Sequence, residues 1–67
     1  MTRLIAVHGP DYWTLYYGRR RLGILVQPTV LQRLDLAPNT SDVLACAREL
    51  DPSVPPDALV TYRRRLS

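Results

Sequence analysis

The sequence predicts a small α+β domain in which a small antiparallel sheet carries two short helices on one face. Three features indicate this class: strand-like alternation on both sides of a glycine-arginine turn, two later segments with helical spacing, and a β-branched and aromatic segment near the C-terminus. The 67 residues make one domain, and a chain of this length buries only about 60% of its unfolded surface. Because one cysteine allows no intrachain disulfide, we expect good packing or self-association to complete the core.

A β-hairpin that turns at residues 18–21 organises the N-terminal half. Side chains alternate between the two faces of a strand, so the register that pairs Tyr17 with Leu22 puts six apolar or aromatic residues on one face. Those six are Trp13, Leu15, Tyr17, Leu22, Ile24 and Val26. The outer face then carries Tyr12, Thr14, Leu25, and Gly23 opposite Tyr16. This register predicts that Trp13 is buried beside Val26.

A first strand at residues 3–8 precedes the hairpin. Its apolar run, Leu4-Ile5-Ala6-Val7, is typical of a strand that lies inside a sheet. Gly9-Pro10-Asp11 provides the turn that follows. This strand and the hairpin form a three-stranded meander with residues 12–17 in the middle.

The first helix follows the third strand. Pro28 cannot donate to a sheet ladder and ends that strand. Thr29 is then placed to cap a helix over residues 30–36, with Leu31 and Leu34 facing inward.

The second helix covers residues 41–50, with Asn39 or Thr40 as its cap. Its apolar residues recur at helical spacing and predict one buried stripe. They are Val43, Cys46, Ala47 and Leu50.

The C-terminal segment, residues 57–66, fits two structures. As a helix it would place Leu59, Tyr62 and Leu66 on one face. As a strand it has the β-branched and aromatic composition that strands prefer. We favour the strand, which would join a sheet edge.

The basic residues outnumber the acidic ones, and the formal net charge is +3. All nine basic residues are arginine, the side chain best suited to bidentate contacts with phosphate, although a GC-rich coding sequence would also favour arginine over lysine. No apolar run approaches the roughly 20 residues of a membrane span, and the first one is too short for a signal peptide. With a single thiol, these features predict a cytoplasmic protein without a membrane partner.

The titratable residues predict no enzyme. Cys46 lies on the buried stripe of the second helix, where a thiol is usually inert, and His8 is far from it in the chain. The acidic residues fall mostly at turns and helix ends, where capping accounts for them. His8 with Asp11 makes at most a weak metal site, so we expect neither a metal nor another cofactor.

Two arginine clusters and two tyrosines form the only group of residues in the sequence whose chemistry indicates a ligand. Guanidinium groups bind phosphate, tyrosine rings stack on bases, and a basic hairpin tip can enter a groove of a duplex. The residues are Arg19, Arg20 and Arg21 at the hairpin tip, Arg63, Arg64 and Arg65 near the C-terminus, and Tyr12 and Tyr16 on the outer sheet face. We expect nucleic-acid binding through them; arginines that only keep a small protein soluble are the plainer explanation.

A protein-interaction role is the alternative. Two short helices cover only one face of the sheet, which would leave Tyr12, Tyr16 and Leu25 exposed on the other, and contiguous apolar patches mark contact surfaces. The same face could join two copies in a homodimer and enlarge the core. The alternative function is therefore an interaction module or a small accessory subunit that acts through this aromatic face.

Overall fold

The computed structural model describes residues 2–64 as a four-stranded sheet with two helices on one side of it. In chain order the elements are β1 (Leu4–His8), β2 (Trp13–Tyr17), β3 (Arg20–Leu25), α1 (Thr29–Arg33), α2 (Thr40–Leu50) and β4 (Val60–Arg64). The strand order in the sheet is β3-β2-β1-β4. The predicted α+β class, the N-terminal meander and the fourth strand are confirmed.

The sheet is mixed. β1, β2 and β3 pair antiparallel, whereas β4 lies parallel to β1. A parallel pair needs a crossover connection, and the segment with α1 and α2 provides it by passing from β3 at one edge to β4 at the other. The side chains of a strand do not indicate its direction, so the expectation of an antiparallel sheet is wrong for β4.

The core lies between one face of the sheet and α2. Alternate residues of β1 and β2 point into it, because side chains along a strand alternate between faces. The buried hydrophobic residues within the described chain are Leu4, Ala6, Trp13, Leu15, Val43, Ala47 and Val54. Trp13 is buried as predicted, and its indole N–H donates to the side-chain oxygen of Gln27 at 2.8 Å.

The predicted hairpin register is wrong. The observed partners are Trp13 with Leu25, Thr14 with Ile24, Leu15 with Gly23, Tyr16 with Arg21, and Tyr17 with Arg20. The turn has two residues, Gly18 and Arg19, instead of four. Gly18 has a φ of 63°, and glycine at the first position of a two-residue turn matches the twist of the flanking strands. A β-bulge next to Tyr16 then leaves Leu22 without a partner on β2.

The bulge and the shorter turn change which residues of β3 face the core. Leu22 packs against the core as predicted, but so does Leu25, which was expected on the outer face. Ile24 and Val26, both expected inside, are 41% and 66% exposed. Trp13 therefore lies opposite Leu25 and not beside Val26.

Gly23 lies opposite Leu15, on the core side, and not opposite Tyr16. Leu50, the last residue of α2, packs directly over it. A Cβ atom added at Gly23 would lie 2.8 Å from Cδ1 of Leu50. The missing side chain therefore lets the end of α2 approach the sheet.

α1 is shorter and more exposed than predicted. It has Pro28 at its N-cap position and no side-chain cap, so the predicted capping by Thr29 is wrong. The helix ends before residue 36 because Asp35 takes a left-handed conformation, with a φ of 55°. Leu31 is half-buried, but Leu34 is 63% exposed, contrary to the prediction.

α2 matches its prediction closely. Asn39, one of the two expected caps, accepts a hydrogen bond from the N–H of Asp42 at 2.8 Å. Of the predicted stripe, Cys46 is only half-buried and Leu50 is exposed. The buried stripe of α2 consists of Val43 and Ala47 and is therefore narrower than the sequence indicates.

The C-terminal segment forms strand β4, as favoured over a helix. Tyr62 lies on the core side, with its ring edge-on to Trp13 at a centroid distance of 5.9 Å. The Tyr62 hydroxyl donates to the carbonyl of Pro38 at 2.6 Å and ties β4 to the segment before α2. Arg65 and Leu66 lie outside the described residues.

Candidate functional site

One face of the sheet has no helix packed on it in the described chain. The strand register defines this surface, which we call the open face. From β3 to β4, one row across it is Arg21, Tyr16, Ile5 and Thr61, and the next row is Ile24, Thr14, Val7 and Arg63. None of these eight side chains is fully buried. The open face therefore has an apolar and aromatic centre with one arginine on each edge strand.

A shallow groove of about 320 Å³ runs over the open face beside β2. Tyr12, Tyr16 and Arg21 all line it, with Thr14 and Val7 between them. Tyr12 and Tyr16 are four residues apart, so their backbones are about 13 Å apart along the strand. The structure thus brings together three of the residues that the sequence predicted as a nucleic-acid site.

The β1–β2 turn fixes the position of Tyr12. The N–H of Gly9 donates to the carbonyl of Tyr12 at 2.8 Å and closes the turn. A Cβ atom added at Gly9 would lie 2.7 Å from that carbonyl oxygen, and backbone would have to move to relieve the contact. Glycine is therefore required at position 9 for Tyr12 to reach the groove in this way.

The charge of the open face is positive. Arg21 and Arg63 stand at opposite edges, and Arg3 reaches the same face, where its guanidinium donates to the Thr61 hydroxyl at 3.4 Å. Neither the two rows nor the groove lining contains a carboxylate, although Asp11 in the β1–β2 turn precedes Tyr12 in the sequence. The open face is therefore suited to an anionic ligand.

The hairpin-tip arginines separate because neighbouring residues of a strand point to opposite faces. Arg21 lies on the open face, Arg19 is in the turn, and Arg20 lies on the helix side, paired with the carboxylate of Asp51. Hydrogen bonds from the hydroxyl and N–H of Ser53, with the Arg20 guanidinium, hold the pKa of the Asp51 carboxyl below its usual value. The guanidinium of Arg20 is thus already paired with a carboxylate of the same chain.

The C-terminal arginines separate in the same way. Arg63 pairs with Val7 and belongs to the open face. Arg64 lies on the opposite face, in a small cleft with Trp13, His8 and Asp35. Arg65 lies outside the residues that the structure describes. The two predicted clusters therefore contribute one arginine each, Arg21 and Arg63, to a common surface.

Cys46 lies away from the open face, whereas His8 borders both the groove on that face and the cleft that also holds Asp35. Burial raises the pKa of the Cys46 thiol, and the charge of Glu49 adds to this effect. Cys46 and His8 line different clefts, and Nε2 of His8 lies 4.0 Å from the carboxylate of Asp35. Residues 2–64 contain no group of three or more histidine, cysteine or acidic side chains that could hold a metal ion.

Sequence reasoning missed five residues of the open face: Arg3, Ile5, Val7, Ile24 and Thr61. The alternation of β1 carried a usable signal, because a continuous apolar run must place some residues on each face. Ile24 was misplaced with the register of the hairpin.

Comparison with known proteins adds no functional information, since no protein-family model, curated protein or solved structure matches this chain. Within residues 2–64, both helices are too short to cross a membrane. The open face is therefore the basis for a functional proposal.

Proposed function

We propose that this domain is a non-catalytic module that binds single-stranded nucleic acid across its open face. The observation that supports this proposal is the groove in which two tyrosines and Arg21 meet on an uncovered, carboxylate-free surface. Bases stack on aromatic rings without regard to sequence, and arginine forks bind phosphates. In this arrangement Tyr12 and Tyr16 are the stacking platforms, and Arg21 and Arg63 hold the backbone at the two edges.

The spacing of these groups favours a single strand over a duplex. Neighbouring strands of a sheet are about 4.8 Å apart and residues along a strand about 3.3 Å apart. Arg21 and Arg63 are three strands and two residues apart, so their backbones are separated by about 16 Å. An unstacked strand can cross this surface and place bases on the tyrosines between two phosphate contacts. A hairpin tip that enters a duplex groove has less support, because Arg20 is paired with Asp51.

The alternative is a protein-interaction surface, which the exposed apolar side chain of Ile24 on the edge strand β3 favours. Its partner would need acidic groups to match Arg3, Arg21 and Arg63. A homodimer through the open face has less support, because it would bring these arginines of two copies together with no carboxylate between them. Leu25, which was expected to contribute to such a dimer, lies on the core side.

Fluorescence anisotropy with labelled oligo-uridine, oligo-thymidine and a duplex tests the proposal. We expect single strands to bind more tightly than the duplex at low salt. Tyr16→Ala should weaken binding about 5- to 150-fold, the range for loss of one stacked base. Absence of single-strand binding tighter than about 10⁻⁴ M, the weak end of non-specific association, would refute the proposal and leave an acidic protein as the partner.

Two adjacent arginines provide a matched control. Arg63→Ala should weaken binding and lower the salt slope by about 0.7, the value for one phosphate contact on a single strand. Arg64→Ala removes the same charge from the same strand but from the opposite face. Equal losses in the two variants would show that net charge, and not the open face, governs binding.

A further inference from the structure

A second surface lies on the helix side, between α1, α2 and the end of β3. It is a groove of about 400 Å³, which we call the helix groove. Leu25, Leu31 and Cys46 form its apolar part, and Asp42 and Glu49 of α2 contribute its charge. Neither carboxylate takes part in an ion pair with another described residue. The helix groove therefore fits an apolar ligand surface that carries a positive charge.

α1 presents such a surface on the wall of the same groove. Leu31 points into the groove, whereas Val30 and Leu34, one helical turn apart, are both 63% exposed. Arg33, which follows Val30 by three residues, is exposed on the same side and takes part in no ion pair within residues 2–64. We call Val30, Arg33 and Leu34 the α1 ridge.

The orientation of α1 is fixed although none of its residues is buried. The side-chain amide of Gln32 donates to the carbonyls of Asp11, at 2.5 Å, and Gln27, at 3.2 Å. A helix of five residues gains its stability from packing and not from its own hydrogen bonds. The exposed α1 ridge is therefore held in place but lacks a packing partner among the described residues.

We propose that two copies of this chain form a two-fold dimer in which the α1 ridge of each copy packs into the helix groove of the other. A two-fold interface requires one self-complementary patch, and the ridge and the groove are neighbours because α1 supplies Leu31 to the groove wall. The charges match across the interface: Arg33 of one copy meets Asp42 and Glu49 of the other.

The small size of the protein supports a second copy of the chain as the partner. A standard interface covers about 800 Å² on each partner, which is roughly a sixth of the 4844 Å² surface of the chain. Burying Val30 and Leu34 would extend a core that is small for a stable domain. Both open faces remain uncovered in this dimer, so it is independent of the proposed nucleic-acid binding.

Sedimentation velocity over micromolar concentrations tests the dimer. The unmodified protein should be dimeric, and Val30→Glu should raise the dimer Kd about 30-fold or more, the scale for a central interface residue. Ile24→Glu, a matched change on the open face, should leave the dimer intact. Circular dichroism checks that both variants fold; since both side chains are exposed, we expect native spectra.

A charge exchange tests the pairing directly. Arg33→Glu alone and the double variant Asp42→Arg with Glu49→Arg should each weaken the homodimer, and an equimolar mixture of the two should form a heterodimer. A monomer at every concentration, a dimer broken by Ile24→Glu but not by Val30→Glu, or a mixture without heterodimer would each overturn the proposal.

Discussion

The strand register, and with it the identity of the open face, can be tested by two adjacent alanine substitutions in β3. Leu25 packs against the core, whereas Ile24 is on the open face and 41% exposed. A fully buried Leu→Ala change costs about 2.7–5 kcal/mol. Because Leu25 is half-buried, we expect Leu25→Ala to lower the free energy of unfolding by about half of that, ~2 kcal/mol.

Ile24→Ala should cost less, about 1 kcal/mol or below, since Ile24 is more exposed than Leu25 and packs outside the core cluster. Isoleucine favours strands more than leucine does, so the loss of β-propensity is greater in Ile24→Ala than in Leu25→Ala. This difference opposes the expected order of the two stability losses and makes the comparison a stricter test. In a domain of this size, 1 kcal/mol shifts Tm by about 4–8 °C. Leu25→Ala should therefore lower Tm by about 8–16 °C.

Thermal and urea unfolding followed by Trp13 fluorescence is the assay, because Trp13 is the single tryptophan and is buried in the folded state. The comparison needs both variants under the same conditions. A larger loss for Ile24→Ala than for Leu25→Ala would refute the observed register and support the one that the alternation pattern alone predicts.

Three further predictions concern stability and the site. Trp13→Ala should cost about 3–5 kcal/mol and unfold much of the protein, since a domain of this length is stable by only about 3–10 kcal/mol; a native circular dichroism spectrum would contradict this. Gly9→Ala should displace the Tyr12 carbonyl, lower Tm and weaken single-strand binding, as anisotropy would show. Because folding lowers the pKa of the Asp51 carboxyl, its ionised form stabilises the folded state at pH values above the unfolded pKa of aspartate. This stabilisation is lost as the pH falls through the folded-state pKa, so Asp51→Asn should make the free energy of unfolding depend less steeply on pH in the acid range.

Most of the secondary structure can be predicted because each element has a local signal. A continuous apolar run marks β1, alternation marks β2, and the Asn39 cap and apolar spacing mark α2. The hairpin register cannot be predicted from alternation alone. It depends on whether the turn has two or four residues and on a bulge, and a one-residue difference exchanges Leu25 for Ile24 in the core.

The candidate site was predicted in part for a similar reason. Tyr12 directly precedes β2 and Tyr16 lies within it, an even number of residues further on, so alternation of the extended chain places them on one face in any register. Runs of arginine cannot act as a single cluster within a strand, because successive side chains diverge. Applied to Arg20 and Arg21, that rule predicts from the sequence alone that the two side chains lie on opposite faces. The pairing of Arg20 with Asp51 could not be predicted, because the tertiary fold brings these two residues together.

The most direct test of the central claim is a ¹⁵N NMR titration with oligo-uridine of about ten nucleotides, a length within the usual site sizes for single-strand binding. We expect shifts confined to the open face and its groove, largest at Tyr12, Tyr16 and Arg21, with Asp42 and Glu49 of the helix groove unchanged. Shifts centred on the helix groove, or none at a saturating concentration, would contradict it.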